Sequence, residues 1–382
     1  MWLCYLIACL PMIFGAVMWI RRSEITFGEW ALAAGAGFLV ALICHVSALW
    51  GMTADTETWS GHVLDATHHP WWRAEWTETE TETDSKGNVT VRIVHKSKDH
   101  QEYWSYDASF GQGRETIEIS RSTFDSVLRN FGGKIRTTTP HKPDFAKGDR
   151  NEYVADNATS FFYPAHKSVR FSNRIKAAPS VFSYAKVPAG AGVFEYPYVP
   201  DGAPPPTGRL MGLAVQIGGW DWDILNAELG PRKQVNLICI GFGDKDSSVA
   251  HLQEAHWIGG KKNDLVLCFG GPDPANPSWA YCFGWTEDPL VRRDLESLLV
   301  SHVIDPTIIP EIKKEVLANY RRKDWHSFDY ITVEPPGWVY TVEIIVILLT
   351  QGGIWYWNMT NEYEKGGRRN RWDRFASGWR RW

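Results

Sequence analysis

Trp2–Ile20 reads WLCYLIACLPMIFGAVMWI, and Trp30–Trp50 reads WALAAGAGFLVALICHVSALW. Neither stretch holds a charged side chain, and Arg21 and Arg22 stand between them. Crossing the hydrocarbon core of a bilayer takes about 20 apolar residues of helix. The two stretches therefore predict a transmembrane hairpin over residues 1–50. A third apolar run, Trp338–Trp357, predicts another membrane helix over residues 337–358, followed by a tail over 359–382. The body of the protein is expected between them.

Charge sets the expected orientation, because Lys and Arg are retained on the cytoplasmic side of short membrane loops. Arg21 and Arg22 place the turn of the hairpin in the cytoplasm, so the N-terminus and the body lie outside. The tail agrees: Lys365, Arg368, Arg369, Arg371, Arg374, Arg380 and Arg381 follow the third run, against few acids. No positive residue precedes the first run, as one would in a secretory signal peptide. In the tail, arginines interleave with Trp372, Phe375, Trp379 and Trp382, a pattern suited to an anionic leaflet, with rings at the headgroups and guanidinium groups on phosphates. The expected partners are the lipid bilayer and an envelope or virion protein. With a net charge of -4, the chain has no overall drive toward nucleic acid.

Of the 21 Trp, seven border the apolar runs: Trp2, Trp19, Trp30, Trp50, Trp338, Trp355 and Trp357. They read as an interfacial belt, where an indole keeps its ring apolar and its N–H wet. Glu343 lies near the outer end of the third run, where a carboxylate can snorkel to water. The six cysteines form no metal-binding or disulfide spacing: Cys4, Cys9 and Cys44 fall in apolar runs, and Cys239, Cys268 and Cys282 in predicted strands.

Residues 51–199 read as β-rich. Thr77–Thr83 alternates Thr with Glu, residues 84–88 (DSKGN) signal a turn, and Val89–Val94 alternates again, together predicting a hairpin. Across it, Glu78, Glu80 and Glu82 can face Arg92, Lys96 and Lys98. His62, His68, His69, His95 and His100 are scattered here without a fixed ligand spacing; surface or hydrogen-bonded roles are the simpler reading than a zinc site. Residues 200–210 predict a proline-rich linker. The pattern over 211–333 is α/β, in the order β-α-β-β-α-α. The whole reads as α+β: three transmembrane helices anchoring a β-rich region followed by a small α/β domain.

The runs Leu225–Gly230 (LNAELG) and Ala255–Leu267 (AHWIGGKKNDLVL), with Asp55–Gly61 and Arg174–Phe182, resemble a family of tailed-bacteriophage membrane proteins. The resemblance is spread over roughly 55–336. It implies residence in a bacterial inner membrane or association with the virion. A cysteine cluster carried by members in their first half is missing here, so any metal site built on it is not inherited. Separately, Trp257–Leu267 resembles the TPM domain in order: a helix ending in Trp, a Gly/Lys turn, then Asn/Asp leading into an apolar strand. That resemblance implies an extracytoplasmic module on membrane helices, in a group linked to repair of membrane complexes, to receptor assembly and to phosphatase-like activity.

Two functions follow as expectations. The first is a non-enzymatic binding or assembly module; no nucleophile-elbow, zinc-protease or phosphate-loop motif is present. The second is a metal-dependent phosphatase-like enzyme. Asp244, Asp246 and Asp264 lie at predicted strand ends, where carboxylates could hold a divalent cation such as calcium or magnesium. The simpler reading is that Asp244 and Asp246 form turns, with Asp246 or Ser247 capping the helix, and that Asp264 ends a loop.

Overall fold

The computed structural model describes residue 13 and residues 27–83, 89–139, 145–157, 160–178 and 184–360. The first apolar run apart from residue 13, the arginines Arg21 and Arg22, the hairpin tip 84–88 and the tail with Arg368, Arg369, Arg371, Arg374, Trp379, Arg380 and Arg381 lie outside them. The chain divides into two compact units, 1–54 with 172–181 and 328–382, and 55–171 with 182–327.

The first unit is built on two long helices, Phe27–Thr53 (α1) and Gly337–Thr360 (α8). Among the described residues these two are long and apolar enough to cross a membrane. They pack antiparallel: Ala41 meets Ile347, and one turn away Gly37 meets Gln351. The Gln351 side-chain amide fills the space beside Gly37 that a Cβ would take, so a larger residue there would have to displace it. Leu39, Leu42 and Ile43 on α1 and Ile345, Leu348 and Leu349 on α8 face outward, exposed. Apolar surface turned away from a helix pair is what lipid would cover. Glu343 departs from the snorkelling expectation. It is only 2% exposed, held within the first unit beside the apolar contacts of α8. A short helix, Arg174–Ala177 (α3), joins the base of the pair: Asn173 N donates to Thr53 O, and Arg174 donates to Ile331 O.

Among the described residues, the second unit holds three sheets. Strand β1 (Ala54–His69) is central to the first, whose order is β5-β4-β1-β8-β6, with β4 Tyr103–Ser109, β5 Arg114–Ile119, β6 Ile135–Thr138 and β8 Glu152–Asp156. Strand β9 (Pro164–Ser172) also pairs with β1. One face packs on helix α2 (Arg121–Asn130), where Phe124, Val127 and Phe131 meet Ala66, Tyr106 and Ala155. Ser120 caps α2 by accepting from Thr123 N, satisfying a donor that the first turn leaves unpaired.

The predicted hairpin is present and longer than the alternation alone implied. Strand β2 (Trp72–Thr83) pairs antiparallel with β3 (Val89–His100) over twelve residues, Thr83 opposite Val89 and Trp72 opposite His100. Lys96 Nζ lies 2.6 Å from Glu78 and 2.9 Å from Glu80, the cross-strand pairing expected of the acidic run. Strand β7 (Phe145–Gly148) adds to β2 only at Trp72–Glu75. Beyond that, the ribbon runs with β3 at its edge.

The third sheet, in the order β10-β11-β12-β13, comprises Leu210–Gly212, Asn236–Gly241, Asp264–Gly270 and Trp279–Gly284. Strands β10, β11 and β12 are parallel and β13 is antiparallel. Leu237, Cys239, Leu265 and Leu267 face helices α4 (Gly219–Lys233), α6 (Leu290–Ser301) and α7 (Ile309–Asn319). Ile238, Ile240, Val266 and Cys268 face α5 (Ser248–His256). Both faces are covered, which is why the strands read as continuous apolar runs. The three cysteines lie in these strands as free, buried thiols.

Three expectations are corrected here. The element order is β-α-β-α-β-β-α-α, because the three-residue strand β10 is too short to show a period. In the sequence, Trp222–Leu229 reads as a short helix closed by Gly230-Pro231, but helix α4 runs on to Lys233. Pro231 in its last turn gives up one ladder hydrogen bond, and Gln234 closes the helix in the left-handed region with N–H donated to Gly230 O. Finally, residues 200–210 do not separate two domains. Strand β1 reaches across to the α/β part: Arg322 grips Glu57, Lys261 pairs with Asp55, and Asn263 donates to Thr58 O. The chain leading into the proline-rich segment packs down, with Phe194 bonded through its backbone to Gln253 and Trp257.

Candidate functional site

The three carboxylates proposed for a cation do not come together. Asp264 opens β12 beside Asn236 at the start of β11, whereas Asp244 and Asp246 follow the end of β11. Since β11 and β12 are parallel and β11 has six residues, the two ends stand roughly 20 Å apart. Asp246 Oδ1 accepts from Ser248 N at the start of α5, and that bond holds its carboxyl below the usual range. Asp264 is wholly buried; it accepts from Asn236 Nδ2 at 2.8 Å, Tyr196 OH at 3.1 Å and Lys261 N at 2.7 Å. Burial pushes this carboxyl up while the three donors oppose the push. The left-handed turn at Gly259-Gly260 brings Lys261 N there, and a Cβ on Gly260 would press on the carboxylate. These residues build a core bracket, and they do not fit a divalent cation. Among the described residues, no group of three His, Cys, Asp or Glu side chains is arranged to hold a metal.

The histidines are likewise dispersed. His62 stacks on Phe162, His68 on Trp104 and Tyr153, and His100 on Trp72. His69 differs. It lies on the face of the first sheet turned away from α2, with Asp65, Thr67, Tyr103, Ser105, Asp107 and Glu152. That face is largely polar, with Val154 opposite Thr67 as an apolar member. Arg114 joins Asp65 to Asp107, Arg136 pairs with Asp156, and burial raises the Asp65 carboxyl against the pull of Arg114. On the same face His69 Nδ1 is 2.9 Å from Glu152 Oε1, and its Nε2 is 3.1 Å from Ser105 Oγ. Tyr103 lies flat on the imidazole, with ring centroids 4.1 Å apart.

Sequence reading missed this series, because Ser105 and Glu152 sit on strands far from His69 in the chain and carry no local motif. It also missed the buried Arg209. Its guanidinium is 3.9 Å from Asp223, whose carboxylate accepts from Thr207 N and Oγ1. A further feature is exposed on the β2–β3 ribbon, where Val89, Val91 and Ile93 are 61%, 63% and 68% exposed along one face of the edge strand.

No protein-family model, curated protein or solved structure matches this chain.

Proposed function

We propose that the chain is a membrane-anchored binding and assembly module, phage-encoded as its sequence resemblance implies, with its TPM-like body outside the cytoplasm. The observation that carries this reading is the β2–β3 ribbon, a long two-stranded arm whose outer edge pairs with no other strand among the described residues. A row of unpaired backbone donors and acceptors is a template for another strand. Val89, Val91 and Ile93 supply alternate apolar side chains for it to cover. The opposite face balances Glu78, Glu80 and Glu82 with Arg92, Lys96 and Lys98, and Lys96 pairs with Glu78 and Glu80. The partner that fits is an extended, uncharged, alternately apolar segment of an envelope or virion protein, added as a strand to β3.

The anchor suits that task by concentrating the arm at the membrane. The two described apolar helices run antiparallel, so the chain leaves α1 and enters α8 on the same side. With Arg21 and Arg22 and the basic tail in the cytoplasm, that side is the outer one. The test is a photo-crosslinking amino acid at Ile93 in the full chain in its membrane. A single adduct, abolished by Val91→Glu on the same arm, supports the module. No adduct, or one unchanged by Val91→Glu, contradicts it.

A further inference from the structure

We propose that Ser105 is a nucleophile toward activated esters, with His69 as its base and Glu152 as the residue that positions the base. Three strands of the first sheet supply the series: His69 from β1, Ser105 from β4 and Glu152 from β8. The order of contacts is the productive one. Glu152 Oε1 accepts at His69 Nδ1 over 2.9 Å, which fixes the proton on Nδ1 and leaves the Nε2 lone pair directed at Ser105 Oγ, 3.1 Å away. Glu152 is itself held, its Oε2 accepting from Thr138 Oγ1 at 3.4 Å. Tyr103 fixes the plane of the ring at an interplanar angle of 9°. His69 and Glu152 keep side-chain exposures of 19% and 28%, while Ser105 itself is only 4% exposed, so a reagent reaches Oγ past the imidazole edge. Burial lowers the His69 pKa, which favours the neutral imidazole a base must be.

In the step, Ser105 Oγ bonds to the acyl carbon and its proton passes to His69 Nε2. The carbon–oxygen bond to the leaving group breaks, and the leaving oxygen takes that proton. Water then attacks the acyl carbon, gives a proton to Nε2, and releases the acid as Oγ recovers the proton. Ester and water become acid and alcohol. Ser105 sits in mid-strand between β1 and β5, where its backbone N–H is committed to the ladder. That N–H is therefore not free to donate to the developing oxyanion. The substrate class is accordingly an ester with a good leaving group, not an amide.

The experiment treats the full chain in detergent with an alkyl fluorophosphonate and maps the adduct by mass spectrometry, beside hydrolysis of p-nitrophenyl acetate. The expected result is one adduct on Ser105, absent in Ser105→Ala and at least about 100-fold slower in His69→Gln. Glu152→Gln should slow labelling at an unchanged melting temperature, and Glu152→Asp should recover part of the rate. No adduct on the native chain, an adduct elsewhere, or an unchanged rate in a folded His69→Gln variant overturns the proposal. The binding reading of the ribbon stands or falls separately, since Ile93 and Ser105 lie on different sheets.

Discussion

Arg322 Nη2 donates to both carboxylate oxygens of Glu57, at 2.7 and 2.6 Å, across 265 residues of chain. Trp59 Nε1 adds a 2.8 Å bond to the same carboxylate, and Arg322 Nη1 reaches Gln234. The pair is nearly closed to solvent, with Glu57 2% and Arg322 14% exposed at their side chains. It ties the first strand of the body to the segment after its last α/β helix. Removing one member strands the other, which costs about 3–5 kcal/mol at such sites. Glu57→Ala should therefore lower the unfolding free energy of the detergent-solubilised chain by that much. Glu57→Met with Arg322→Met should recover most of it, as read by chemical denaturation followed through tryptophan fluorescence.

Acid should weaken the body through His166. The ring is buried in the first sheet's core region; desolvation first and Arg209 second pull its pKa down to about 3. The unfolded chain would titrate near 6.5, so below that pH it binds a proton the folded chain refuses. The contribution is complete above about 6.5 and is lost as pH falls toward about 3. Between about pH 7.5 and 4.5 the loss amounts to roughly 2–3 kcal/mol. His166→Asn should flatten that part of the stability profile; an unchanged slope would mean that other groups set it.

The ribbon should tolerate charge without loss of fold. Ile93 is exposed, so Ile93→Glu should shift stability by no more than about 0.5 kcal/mol. Val91→Glu, equally exposed, should be tolerated as well and should remove the membrane-bound adduct formed by the photo-crosslinker at Ile93. Loss of fold alongside loss of the adduct would show instead that the ribbon packs within its own chain.

The helix pair depends on Gly37. Gly37→Leu would place a side chain where the Gln351 amide lies and should loosen the packing of the pair. An engineered disulfide between Ala41→Cys and Ile347→Cys should form readily in the native background, where the two side chains touch. Its yield should fall several-fold in Gly37→Leu, as gel mobility under oxidising conditions will report.

The apolar runs after residue 27, the acidic hairpin and the α/β strands were legible because each rests on a local period: unbroken apolarity in the helices, alternation in Thr77–Val94, and full burial in Asn236–Gly241 and Asp264–Gly270. What stayed hidden depends on long-range pairing. Leu210–Gly212 is a strand only because Cys239–Gly241 lies beside it. Residues 51–199 and 211–333 pack together because Glu57, Asp55 and Thr58 reach residues more than 200 positions away. The aspartates failed as a site for the same reason: their places at strand ends are local, and only the parallel register shows that the ends are opposite ones. Ser105, His69 and Glu152 meet through two strand pairings that no spacing announces.

That the body is held outside the cytoplasm by membrane helices is the central proposal, and one labelling experiment reaches it directly. Thr90→Cys places a thiol at an exposed position of the ribbon, while Cys239, Cys268 and Cys282 are buried. Intact spheroplasts expressing the full chain would be treated with a membrane-impermeant maleimide, and the membrane fraction then isolated. The native chain, treated in the same way, supplies the background. The predicted result is labelling of the Thr90→Cys chain above that background before permeabilisation, with the protein wholly in the membrane fraction. Labelling only after the membrane is broken, or recovery of the chain in the soluble fraction, would contradict it.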